Sequence, residues 1–162
     1  MIQHLRLLLL RDLDGVRREL ELYPDDAAPW ASLPGLPNTA GTLALHLAGN
    51  LRHFIGAKLG GSGYVRHREL EFSTRDLPRK ELLALIEATR NEVAVALDEL
   101  DPARLEEPYA LPNNQVVPTS LFLLHLAMHL TFHLGQIDYH RRAATGDKTS
   151  AGVIPLAALG SL

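Results

Sequence analysis

Histidine is the residue type with most chemistry to offer in this 162-residue chain, which holds eight histidines and no cysteine. Three of them recur at every fourth position in His125-Leu-Ala-Met-His129-Leu-Thr-Phe-His133, followed by Leu-Gly-Gln136. Residues four apart on a helix share a face, one turn above another. His129 and His133 can therefore aim two imidazoles at one point, as helices do when they supply two ligands to one metal. His125 extends the stripe at one end, and Gln136 and His140 at the other. The run from His125 to His133 covers about 12 Å, too far for one ion to engage all three. An adjacent pair is expected, and spacing alone leaves open which one. Leu126, Leu130, Leu134 and Ile137 flank the stripe, so this face is expected to be largely buried. Buried imidazoles need partners. A metal is one such partner, an ordinary hydrogen-bonded core is another, and paired histidines also arise by chance in a His-rich chain.

A third ligand has to come from another helix. His46 lies between Leu43 and Leu47, with Asn50 one turn on and His53 two turns on. Asn50 can both donate and accept, which suits a residue that supports ligands or faces a substrate or cofactor. His53 is expected to form a polar edge bonded to its neighbours. No general base stands out: His125 and His140 read as structural, and Asp138 as paired or solvated. Trp30 is expected in core packing rather than over a pocket mouth. Arg66, Arg68, Arg141 and Arg142 are not assigned to an anionic substrate.

The bulk composition narrows the partners. Net charge is -3 and the pI is about 6.2, which gives no basic surface for nucleic acid. The basic cluster Tyr64-Val65-Arg66-His67-Arg68 is followed by Glu69 and Glu71. Without cysteine, disulfides, thiolate metal sites and cysteine nucleophiles are excluded, and thiol chemistry needs an external thiol. The run Leu7 to Leu10 is too short for a signal sequence and meets Arg11, Asp12 and Asp14 at once. No stretch is expected to supply the ~18 uncharged residues of a membrane helix. The chain is expected to be soluble and cytoplasmic.

Four amphipathic helices are predicted to position these residues, within one domain over 1–162. The first runs from about Ile2 to Tyr23, with Leu5, Leu9, Leu13, Val16 and Leu20 on one face. The second starts at an Asn38 or Thr39 cap and stops at Gly60-Gly61. The third follows Pro78 and buries Leu82, Ile86, Thr89, Val93, Leu97 and Leu100. The fourth runs from near Pro118 to about Ala144, with Gly146 as its C-cap. Long connections over Gly60 to Leu77 and Pro102 to Val117 read as crossovers, and strand signals are weak throughout. The tail from Asp147 is open between an extended segment and a short helix. The fold class is an all-α four-helix bundle with crossover connections.

Thr39-Ala-Gly-Thr-Leu-Ala-Leu-His46-Leu-Ala-Gly-Asn50, followed far downstream by His129-Leu-Thr-Phe-His133-Leu-Gly-Gln136-Ile, resembles the DinB/YfiT-like superfamily of metal-dependent enzymes. The likeness spans essentially the whole chain. It implies that His46, His129 and His133 bind one divalent metal, and that bundles pair as a homodimer. One departure concerns the final ligand: many relatives carry a His or Arg beside it, whereas Phe132 and Leu134 flank His133 here. Three neutral imidazoles leave coordination positions open, as catalytic sites do. Zinc is the default, with nickel, iron, manganese or cobalt compatible with the same ligands. The resemblance further implies a transferase that activates bacillithiol or mycothiol against a small electrophilic substrate. A metal-dependent hydrolase and a non-catalytic, stress-related metal-binding protein are the alternatives.

Overall fold

A computed structural model of the chain describes residues 1–152. Five α-helices are formed: α1 (Ile2–Glu21), α2 (Ala40–Leu51), α3 (Arg68–Ser73), α4 (Arg79–Asp98) and α5 (Thr119–Thr145). The four long ones make the bundle. Helix α1 packs on α4 and α5, and α2 packs on the same two, so α1 and α2 stand at opposite corners. The connections from α1 to α2 and from α4 to α5 span opposite corners, so the crossover expected over Pro102 to Val117 is formed, whereas Gly60 to Leu77 links the neighbouring helices α2 and α4.

Periodicity explains the core. Leu5, Leu9, Leu13, Val16 and Leu20 of α1 are all essentially inaccessible, as are Leu82, Ile86, Thr89, Val93 and Leu97 of α4. Thr39 caps α2, its side-chain oxygen accepting from Thr42 N at 3.2 Å. Helix α2 does not run on to Leu59 as an α-helix. It widens at once into a π-turn over Arg52–Ala57, a form that recurs at functional sites. Trp30 is buried and donates Nε1–H to Leu77 O at 3.0 Å. Its ring lies 2.7 Å from where a Cβ on Gly41 would stand, so that position of α2 requires glycine. Helix α5 ends at Gly146, whose φ of 73° closes the last turn through a 2.9 Å bond to Arg142 O.

Three expectations are corrected. The connection from Gly60 to Leu77 contains α3, a short helix laid against α2. The connection after α4 folds into a 3-10 turn (Pro102–Glu106) and an antiparallel hairpin, β1 (Pro108–Ala110) with β2 (Val116–Pro118), in which Tyr109 faces Val117. Its signal was present in Val116-Val117 and in Asn113-Asn114, where Asn114 takes the positive φ of 66° that the turn needs. Pro108, Pro112 and Pro118 masked it. The hairpin is pinned by Tyr109, whose ring lies 4.5 Å from that of Phe122 and whose hydroxyl donates to Phe54 O. Third, residues 108–137 carry no Asp, Glu, Lys or Arg, and α5 is long and apolar enough to cross a membrane by length and composition. About 33% of its most apolar stretch is buried within the bundle, and the core helix of a bundle passes the same test.

Residues 147–152 form no helix. Arg141 donates to Thr149 O, Arg142 to Lys148 O, and Arg18 to Ala151 O and Gly152 O, which ties this segment across α1 and α5. The remainder of the tail, residues 153–162, lies outside the described residues.

Candidate metal centre

The structure brings His46 from α2 together with His129 and His133 from α5. The three offer one nitrogen each, all within 4.8 Å of one another. His46 Nε2 lies 3.3 Å from His129 Nε2, and His133 Nε2 lies 3.1 Å from it. Two nitrogens at ~2.05 Å from a tetrahedral ion are about 3.3 Å apart. The spacing therefore fits a divalent cation.

The outer nitrogens decide which way the inner ones are prepared. His46 Nδ1 lies 3.0 Å from Glu71 Oε2. A carboxylate only accepts, so Nδ1 carries the proton and Nε2 presents its lone pair. Arg66 Nη2 also comes within 3.4 Å of His46 Nδ1, but it already donates to Glu71 Oε2 at 2.8 Å, and the shorter contacts define the network. His133 Nδ1 lies 2.6 Å from the amide oxygen of Gln136, which fixes the same tautomer one helical turn below. Two lone pairs thus face His129 Nε2, which has at most one proton to give. The trio cannot satisfy itself by hydrogen bonding, and a cation accepts all three lone pairs at once.

Electrostatics favour the neutral, ligating form. Burial, reinforced by His133, His46, His125 and Arg66, pushes His129 down to about 4. His133 is lowered by burial and by His46, against the opposing Gln136 bond. Burial on its own would raise Glu71, yet the bonds from Arg66 and His46 outweigh it and hold the carboxyl below its ordinary range. It is an anion at the back of His46.

Glu71 is the residue that sequence reasoning missed. It is 6% exposed, and Arg66 grips it through Nε at 2.6 Å and Nη2 at 2.8 Å. A Cβ on Gly49 would overlap Glu71 Oε1, so Gly49 lets the carboxylate reach past α2 to His46. No spacing rule links Glu71 to His46, because 25 residues and a non-helical connection separate them. The only signals were the length of that connection and the Gly49-Asn50 pair.

The other candidates fall outside the trio. His125 is exposed on the turn before His129 and takes no part in it. His53 sits on the π-turn, and the expectation that neighbours bond it is corrected: its buried Nδ1 has no partner, and its ring centroid lies 4.8 Å from that of Phe54. His140 is structural, held between the Tyr23 hydroxyl at 2.7 Å and Ala31 O at 2.8 Å. Asp138 is paired with Arg142 at 2.9 Å. Arg141 is not an exposed arginine at all; it is fully buried on Glu19. Asn50 is 8% exposed and has an unpartnered Oδ1.

Among known proteins, no curated relative and no solved structure matches the chain. The family model described as the DinB superfamily matches residues 8–137, which takes in all three histidines, Glu71 and Gln136. With the helical bundle and this histidine cluster on the page, the chain belongs to the DinB superfamily.

Proposed function

We propose that this chain is a metal-dependent transferase: one divalent ion, zinc by default, held by His46, His129 and His133, and an external thiol such as bacillithiol or mycothiol as the nucleophile. The observation that carries this reading is the pair of tautomer-fixed imidazoles converging on His129, with three protein ligands and no fourth among the described residues. A structural zinc is closed by four protein ligands, whereas a catalytic one keeps a position for water or substrate. An ion there supplies Lewis acidity, lowering the pKa of a bound water or thiol. The chain's own residues do the rest: Glu71 and Gln136 keep two imidazoles aimed, and the apolar walls beside His129 exclude water. The absence of cysteine supports a thiol that arrives from outside.

The test begins with metal analysis of freshly purified protein, expected to give one ion per chain. His46→Ala, His129→Ala and His133→Ala should each drop this well below one. Titration of the zinc-loaded protein with bacillithiol and with mycothiol, followed by consumption of an alkyl halide, checks the transfer. Ester cleavage without thiol would make it a hydrolase, and zinc binding with neither activity a metal-binding protein.

We also propose that two copies pair through α5. Leu121, Leu124, Met128, Phe132 and Tyr139 form one exposed apolar stripe on it, with Met128 72% and Tyr139 75% accessible. Such a stripe is unusual on a free surface, and steps of three, four and seven residues let it lie against its own copy. Sedimentation equilibrium should return about twice 17.8 kDa. Phe132→Glu should return a monomer that keeps its zinc.

A further inference from the structure

A cavity of about 530 Å³ opens beside the histidine trio, between the β1–β2 hairpin, the first half of α5 and the end of α2. Its volume is that of a small-molecule site, typically ~300–1,000 Å³. Phe54, Leu111, Val117, Phe122 and Leu126 make most of the wall, and no Asp, Glu, Lys or Arg lines it. Two groups connect it to the trio. His129, whose Nε2 faces the other two imidazoles, also lines the cavity, and so does Asn50.

Asn50 is more than nine-tenths buried, and its Oδ1 has no hydrogen-bond partner. Buried polar groups are nearly always satisfied, so an incompletely bonded Asn50 amide on the wall of a mostly apolar cavity, whose other polar lining residues are Asn113, His125 and His129, marks the place of a ligand's polar group. The buried Nδ1 of His129 is also unpartnered, and it is a donor, not an acceptor, when Nε2 presents its lone pair to the trio. An anionic ligand finds no countercharge here, and burying a charge without a partner is strongly unfavourable. A neutral molecule with an apolar body pays no such penalty.

We infer that this cavity binds an uncharged, largely apolar small molecule with one hydrogen-bonding group, oriented by the Asn50 amide. The inference deepens the transferase reading, for which this molecule is the electrophile and not the thiol. A thiol rich in carboxylates finds no Lys or Arg on these walls. The hairpin is the specificity element, because Leu111 and Val117 close the side of the cavity opposite α5.

The probe is a matched pair: 2-naphthamide and 2-naphthoate share a ring system and differ in charge and in the amide donor. Calorimetric titration of the metal-free protein should show the amide binding at least tenfold more tightly. Metal-free protein is used so that an ion's own attraction for carboxylate does not enter. Asn50→Leu and Leu111→Asp should each weaken the amide at least tenfold. Val117→Asp is the second variant at the cavity wall; Val117 is half-buried on the hairpin, outside the α5 stripe, and its replacement should weaken the amide too. Equal affinity for both probes, preference for the carboxylate, or indifference to all three variants would overturn the inference. So would amide affinity that falls as protein concentration rises, which would mean a second copy fills the groove. The two readings fail separately. Zinc on the trio without amide binding removes the cavity inference alone, and amide binding without zinc removes the metal reading alone.

Discussion

At the residue scale, the orientation of one imidazole depends on a carboxylate that is remote in sequence. Glu71 fixes the His46 tautomer, and Arg66 keeps the buried Glu71 ionised. Partners of metal-ligating histidines typically carry 10–100-fold in metal affinity. Glu71→Gln should therefore weaken zinc binding by roughly that factor, read by competition with a chromophoric chelator. Unchanged affinity would show that His46 is aimed by packing alone. Protonation supplies a second residue-scale test, on a group seven residues beyond the last ligand. His140 is lowered from 6.5 by burial, against the raising bond to Ala31 O. Its neutral form is the one the fold accommodates, so between the folded value and 6.5 the unfolded chain holds the extra proton. Stability from this group is complete above about 6.5 and is lost as pH falls below it. Thermal melts of metal-free protein should drop on acidification from pH 7 to 5, and His140→Gln should flatten part of that slope.

At the element scale, α5 does two jobs with adjoining faces. Leu123, Leu126, Leu130, Leu134 and Ile137 fill the core, while His129 and His133 sit half-buried at its edge. Its rotation is set along its length: Thr131 bonds the buried Asp12 of α1 between the two ligands, and Arg141 meets Glu19 of α1 at 2.5 Å further on. Both members of that last pair are fully buried. Removing one partner of such a pair strands the other charge, at about 3–5 kcal/mol. Arg141→Met should destabilise the fold by an amount of that order in urea titration, and Glu19→Leu with Arg141→Met together should recover much of it. A double variant no better than the single would show that Arg141 matters through the tail carbonyls it binds. Helix α2 carries the complementary constraint at Gly49. Gly49→Ala places a methyl where Glu71 Oε1 lies, and should reduce zinc affinity about as much as Glu71→Gln.

At the scale of the whole molecule, the metal site stands at the margin of a core that does not depend on it. The apolar cluster runs through all four long helices and takes in Leu9, Leu47, Leu97 and Leu134, with the site confined to one side of α2 and α5. Chelation should accordingly leave a folded, cooperatively melting protein. Its Tm should fall only by what ligand linkage demands, about 4 kcal/mol when free zinc is a thousand times Kd. A protein that unfolded on chelation would have a structural metal, and the transferase reading would fall with it. The proposed pairing of copies through α5 belongs to the same scale, because Met128, Phe132 and Tyr139 stay exposed among the described residues.

What was legible in the sequence was everything that follows from local periodicity. Three- and four-residue spacing marked the apolar faces of α1 and α4 residue by residue, Thr39 marked a cap and Gly146 a stop. The i, i+4 step of His129 and His133 put two imidazoles on one face, because helix geometry is the same in any context. The ligand from α2 was reachable only through resemblance, since spacing along a chain says nothing about distance between helices. The approach of Glu71 to His46, the orphaned acceptor of Asn50 and the burial of Arg141 were decided by tertiary structure alone. Each depends on which surfaces meet when long connections close, and that meeting is fixed by the summed packing of the bundle, not by the residues on either side.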